Sequence, residues 1–90
     1  EPSKIASFLE KLNVDYFAVA YTSEAVKLRQ VGIKKPILIF HPQQENLNAI
    51  IKHNLIPTLY SFKMLEFFKD TVSRKKVKNY PVHLKINTGL

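Results

Sequence analysis

Ninety residues bound the chain to one small domain or part of a larger one. With 46% hydrophobic and 23% charged residues the composition is that of a globular chain rather than a disordered one, and no apolar run approaches the ~20 residues needed to span a bilayer. The absence of cysteine excludes disulfides and thiolate metal sites, while a net charge of +7, from 14 basic and 7 acidic residues, asks whether a partner is anionic.

In chain order, Ile5, Phe8, Leu9 and Leu12 recur at helical spacing and predict an amphipathic helix. Tyr16 to Ala20 is a short apolar run that reads as a strand. Thr22 is placed to cap the next helix, with Glu24 in its first turn favoured by the helix dipole. Ala25, Leu28 and Val31 form that helix's apolar stripe, and Gly32 is its stop. Pro36 introduces Ile37 to Phe40, a strand of strong β-formers, and His41 to Gln44 reads as a loop. Leu47, Ile50 and Ile51 mark a short helix closed near Asn54, and Pro57 to Tyr60 is a third strand. Ser61 caps a helix whose expected face is Phe62, Leu65, Phe68 and Val72; Tyr80 to Ile86 is the fourth strand.

Strand starts at Tyr16, Ile37, Thr58 and Val82 are separated by 21, 21 and 24 residues, with one helix in each interval. Such alternation predicts parallel strands joined by crossover helices. Periodicity alone leaves two architectures open, a doubly wound sheet and a (β/α)8 barrel of which about half would be present. The last strand runs into a Thr88-Gly89 turn, and Glu1-Pro2-Ser3 opens without an initiator Met, so we expect a segment of a longer protein.

In both architectures ligands bind beyond the carboxyl ends of the strands. Those positions are Tyr21-Thr22, Phe40-His41, Tyr60-Ser61 and Asn87-Thr88. They include no carboxylate pair and no glycine-rich phosphate loop. His41, His53 and His83 lack the spacing of a metal site, and none is expected. The basic run Arg74-Lys75-Lys76 with Lys78 reads as a helix end entering a loop, and the other basic residues are scattered along the chain. If Val82, Leu84 and Ile86 face a helical layer, then His83, Lys85 and Asn87 point into a barrel, where a bare cation is costly. On an edge strand Lys85 would instead lie in water.

Taken in order, several segments resemble the N-terminal barrel domain of alanine racemase, a pyridoxal-phosphate enzyme that makes D-alanine for bacterial cell walls. Asp15 to Ala25, with Leu28-Arg29 and Gly32-Ile33, is similar to that domain's second strand and following helix. Pro36 to Phe40 is similar to its third strand, Thr58 to Ser61 to its fourth, and Val82 to Leu90 to its fifth strand and turn. The match runs through nearly the whole chain, and the ordered set is more specific than any one motif.

The resemblance implies an α/β fold, a partial (β/α)8 TIM barrel of about four parallel β/α units, with residues 1–90 a segment of the cofactor-binding barrel. It implies that Phe40 packs near the ring of pyridoxal phosphate. It places Lys85 on the lysine often carbamylated in this family, where the carbamate orients a cofactor-contacting arginine. It also implies alanine as substrate, a homodimer and a bacterial cytoplasmic setting, with no nucleic-acid or membrane partner. Asn87 stands where the family usually has Asp, and Leu90 where it often has Met. The Schiff-base lysine is expected before Glu1, the arginine after Leu90, and the catalytic tyrosine in a later domain of the other subunit. No catalytic residue is therefore expected in these 90 residues, which alone should neither bind the cofactor covalently nor racemise alanine. A half-barrel has two open sheet edges and a bare inner face, so self-association is expected. The rival readings are a non-catalytic pyridoxal-phosphate carrier on the same barrel and a small, self-contained basic binding module.

Overall fold

The computed structural model describes residues 2–86. Helix α1 (Pro2–Lys11) leads to strand β1 (Phe17–Val19), helix α2 (Thr22–Gln30), strand β2 (Ile37–Ile39), a 3-10 turn (Gln44–Asn46) and helix α3 (Leu47–Lys52). Strand β3 (Ile56–Leu59), helix α4 (Phe62–Arg74) and strand β4 (His83–Leu84) complete the order. The four strands are parallel in the order β1-β2-β3-β4, with Ala18 opposite Leu38, Leu38 opposite Ile56, and Thr58 opposite His83.

That order decides between the two architectures. A doubly wound sheet reverses its strand order at a switch point; here each strand pairs with its neighbour in sequence throughout. All four helices also contribute to one core on one face of the sheet. Ala6, Ala25, Leu47, Ile50 and Phe68 from the helices meet Ile37, Ile39 and Leu59 from the strands. Ile37, Ile39 and Ile50 are fully buried, each worth roughly 1.5–3 kcal/mol of transfer free energy. The arrangement is that of consecutive units of a barrel wall.

Three helices stop in the same way. After α2, Gly32 (φ 103°) donates its N–H to the Arg29 carbonyl and Ile33 to that of Leu28. After α3, Asn54 (φ 54°) and Leu55 do the same to Ile51 and Ile50, and after α4, Lys76 (φ 57°) and Val77 to Ser73 and Val72. This is the Schellman arrangement, a left-handed residue followed by an apolar one that tucks back onto the core. Ile33 and Leu55 are buried by it. The sequence showed the glycine stop; it did not show that Lys76 takes the same conformation.

Arg29 ties two of these stops together. Its guanidinium donates to the carbonyls of Ile33 (3.0 Å) and Lys35 (2.7 Å) beside its own helix, and of His53 (2.8 Å) and Asn54 (3.1 Å) at the end of α3. The single Tyr80 hydroxyl proton lies in the same region between two acceptors, the carbonyls of Ile50 (2.8 Å) and Leu55 (2.6 Å). Burial pushes the Tyr80 phenol up to about 12, with the nearby Arg29 charge opposing the shift.

Four expectations need correction. The N-cap of α2 is Tyr21, whose N–H donates to the Glu24 carboxylate at 2.9 Å; Thr22 is the first helical residue, buried, and its hydroxyl has no partner. In α1 the packed residues are Ala6 and Leu9, whereas Ile5 and Phe8 are 57% and 64% exposed. Phe62 is 67% exposed; it stands six residues before Phe68, about 120° round the helix at 3.6 residues per turn, beyond the apolar stripe. The fourth strand is His83–Leu84 rather than Tyr80 to Ile86. Asn79 takes a left-handed φ, Tyr80 turns inward to α3, and Pro81 has no N–H to give to a ladder. The expected Ser61 cap is present, accepting from the Met64 N–H at 3.1 Å.

Candidate functional site at the carboxyl ends of the strands

Strand alternation fixes which side chains leave the helical layer. Ile37 and Ile39 enter the helix-side core, so Leu38 and Phe40 project from the other face. Leu38 is 6% exposed yet stands outside that core, as this requires. On β3 the same face carries Ile56, Thr58 and Tyr60. On β4, Val82 packs towards the core and Leu84 is opposite Leu59, so His83 and Lys85 take the other face. Pairing continues past the strand, because the Lys85 N–H donates to the Leu59 carbonyl at 3.0 Å.

Phe40 and Lys85, the two sequence-predicted positions, thus share one face near the carboxyl ends of their strands. Tyr60 stands on the strand between them. Its hydroxyl donates to the Phe40 carbonyl at 2.6 Å, and it lines a recess with Leu84, Lys85 and Ile86. Phe40 is 42% and Tyr60 37% exposed. Lys85 is exposed among the described residues. Thr58 is almost fully buried on this face, and its hydroxyl has no partner.

The neighbouring strand ends add aromatic surface. The Tyr21 and His41 rings stand 5.7 Å apart with planes tilted by 41°. Among the described residues no three His, Cys, Asp or Glu side chains gather as metal ligands. No helix of the described residues is long and apolar enough to cross a membrane. Asn87, the Thr88-Gly89 turn and Leu90 lie outside the described residues. Tyr60 was among the strand-end positions expected from the sequence; its bond to the Phe40 carbonyl was not.

Chemically the face offers exposed aromatic rings, Phe40 and Tyr60, and the primary amine of Lys85; the Thr58 hydroxyl beneath them is buried. Among the described residues no glycine-rich loop stands at this face.

Comparison with known proteins agrees with this architecture. The family model described as alanine racemase, N-terminal domain, matches residues 3–90. Alanine racemase 1 of Caldanaerobacter subterraneus subsp. tengcongensis is 48% identical over 89 residues, covering 98% of this chain and 23% of that protein. The alanine racemase of Thermodesulfovibrio yellowstonii is 37% identical over 87 residues, covering 97% and 23%. The solved alanine racemase of Clostridium difficile 630 superposes with a TM-score of 0.81 at 34% identity, over 98% of this chain and 23% of that one. The chain therefore spans about a quarter of the length of the relatives it matches. Strand order, one-sided helical layer and sequence agree: the chain belongs to the alanine racemase N-terminal domain family.

Proposed function

We propose that these residues form part of the cofactor-side wall of an alanine racemase barrel, in an enzyme that interconverts L- and D-alanine with pyridoxal phosphate for peptidoglycan synthesis in the bacterial cytoplasm. The observation that carries the reading is the shared face of Phe40 and Lys85 at the strand ends, in a chain of this family. Phe40 supplies the apolar surface against which the cofactor ring packs. Lys85 takes up carbon dioxide as a carbamate, and the resulting anion orients an arginine supplied from outside this chain. Thr58 offers a buried, unpartnered hydroxyl on the same side. When bound, the cofactor supplies an electron sink for removal of the α-proton. The chain's own residues hold and shield it. The two proton-transferring groups, a lysine and a tyrosine in this family, are contributed from elsewhere, so the 90 residues alone are inactive.

The test is direct. The purified chain with pyridoxal phosphate should form no D-alanine. A longer polypeptide from the same reading frame, carrying the flanking strands, should form it. Racemisation by the chain alone would refute the division of labour. Failure of the longer polypeptide to racemise, with the cofactor bound, would favour a non-catalytic carrier.

We further propose that the isolated chain self-associates through its open face and edge strands. It exposes 6551 Å², against about 5,400 Å² expected for a folded monomer of its mass. The excess, about 1,150 Å², is more than the roughly 800 Å² that one partner buries in a standard interface. Light scattering over a concentration series should show dimers or larger species, and a strictly monomeric chain would refute this.

A further inference from the structure

Basic residues scattered in the sequence are gathered in space. The strands are parallel, so the last turns of the helices and the segments entering the strands lie at one end of the layer. Lys11, Lys27, Arg29, Lys52 and Arg74 stand in those last turns. Lys34 and Lys35 lead into β2, and Lys75, Lys76 and Lys78 lead into β4. The acidic residues at this end are Glu10 and Asp15. It therefore carries 10 cations against 2 carboxylates, a balance of +8, while the other 4 cations and 5 carboxylates of the chain sum to −1, giving the net +7.

Cations at helix C-termini are favoured by the dipole, and that alone could account for some of them. Each helix end contributes about half a negative charge. Four ends offset about two charges, which leaves this pole at about +6. Arg29 and Lys35 are turned onto carbonyls of the chain itself. The other eight are exposed.

We propose that this pole docks on an anionic lipid surface. The ends of parallel elements form one face, indented by an open recess that Arg29, Lys34, Lys52 and His53 border. Lysines predominate, eight to two arginines, and act as point charges without the fork that reads individual phosphates. The helices present their carbonyl ends, so the backbone N–H groups with which nucleic-acid binders hold phosphates are turned away. What remains is diffuse attraction between a lysine-rich face and a charged plane. The pole is opposite the candidate site, and the inference does not rest on the racemase reading.

The test is co-sedimentation of the 90-residue chain with vesicles of equimolar phosphatidylglycerol and phosphatidylcholine, against pure phosphatidylcholine. Binding should require the anionic lipid and weaken as salt rises. The triple variant Lys75→Glu, Lys76→Glu, Lys78→Glu should lose about tenfold or more in affinity. The triple variant Lys4→Glu, Lys63→Glu, Lys69→Glu, with the same change in net charge away from the pole, should lose less than about threefold. Circular dichroism establishes that both are folded, and if either is not, the single charge reversals are compared instead. No binding to anionic vesicles, equal losses in the two variants, or tighter binding to duplex DNA than to the vesicles would overturn the proposal.

Discussion

The Tyr60 hydroxyl donates to the Phe40 carbonyl at 2.6 Å and joins the ends of two neighbouring strands beyond their last backbone pair, Ile39 with Pro57. Pro57 has no N–H, so the ladder is short of a donor here, and a side chain supplies one a few residues on. Tyr60→Phe keeps the ring and removes the donor. Because the bond is partly exposed, the expected cost is about 0.5–1.5 kcal/mol. Urea denaturation should show this as a lower midpoint with unchanged slope; an unchanged midpoint would mean that water replaces the bond without loss.

Arg29 engages four carbonyls at the ends of two helices. Replacing it with Ala leaves these acceptors without their charged donor. Bonds to charged groups are worth about 1.5–3 kcal/mol each when well placed, less with solvent access. We expect Arg29→Ala to destabilise by about 3 kcal/mol or more. Lysine, with a compact ammonium, cannot reach all four, so Arg29→Lys should recover less than half of the loss. Full recovery in thermal unfolding would show that charge alone matters.

Tyr80 makes stability pH-dependent at the alkaline end. Its folded-state value is raised to about 12 from the usual 10.0, chiefly by burial. A raised value means that the contribution is fully present below the unfolded value and is lost as pH climbs through the folded one. Stability should therefore hold up to about pH 10 and decline between about pH 10 and pH 12. Tyr80→Phe should lower stability at neutral pH, through loss of the one hydroxyl donor shared between the Ile50 and Leu55 carbonyls, and flatten this part of the profile. The readout is denaturation midpoint against pH; parallel profiles for the two proteins would rule out Tyr80 as the titrating group.

Two of the helix stops make opposite predictions. Lys76 holds φ 57°, a conformation costly for a residue with a Cβ. Lys76→Gly should stabilise by about 0.5–1 kcal/mol. Gly32 has φ +103° and open space where a Cβ would lie, so Gly32→Ala is penalised by backbone strain alone, about 1–2 kcal/mol. Calorimetric midpoints moving in the same direction for both variants would contradict the shared-motif account.

Much of the fold was legible in the sequence because each element carried its own signal. Ile37 to Ile39 are β-formers buried throughout, and Gly32 and Ser61 mark a stop and a start with local chemistry. What was not legible depends on neighbours. Phe62 and Ile5 have the right spacing but sit where no layer covers them. The last strand is short because Tyr80 gives its hydroxyl to α3, a contact 30 residues away. Phe40 and Lys85 were assigned by resemblance, and alternation alone accounts for their common face. Tyr60 was placed at a strand end, but its bond to Phe40 was not legible, since hydrogen bonding across strands requires the register. The basic pole was hidden for the same reason: Lys11, Lys34 and Lys78 come to the same end of the layer only once the strands are parallel.

The central claim, that these residues are a wall of an alanine racemase barrel, is tested most directly by D-alanine formation. The measurement is conversion of L-alanine by the polypeptide that carries this segment together with the flanking strands of its reading frame, supplied with pyridoxal phosphate. The account predicts racemisation that falls sharply in Lys85→Ala. A folded, cofactor-loaded polypeptide that leaves L-alanine unchanged would contradict it.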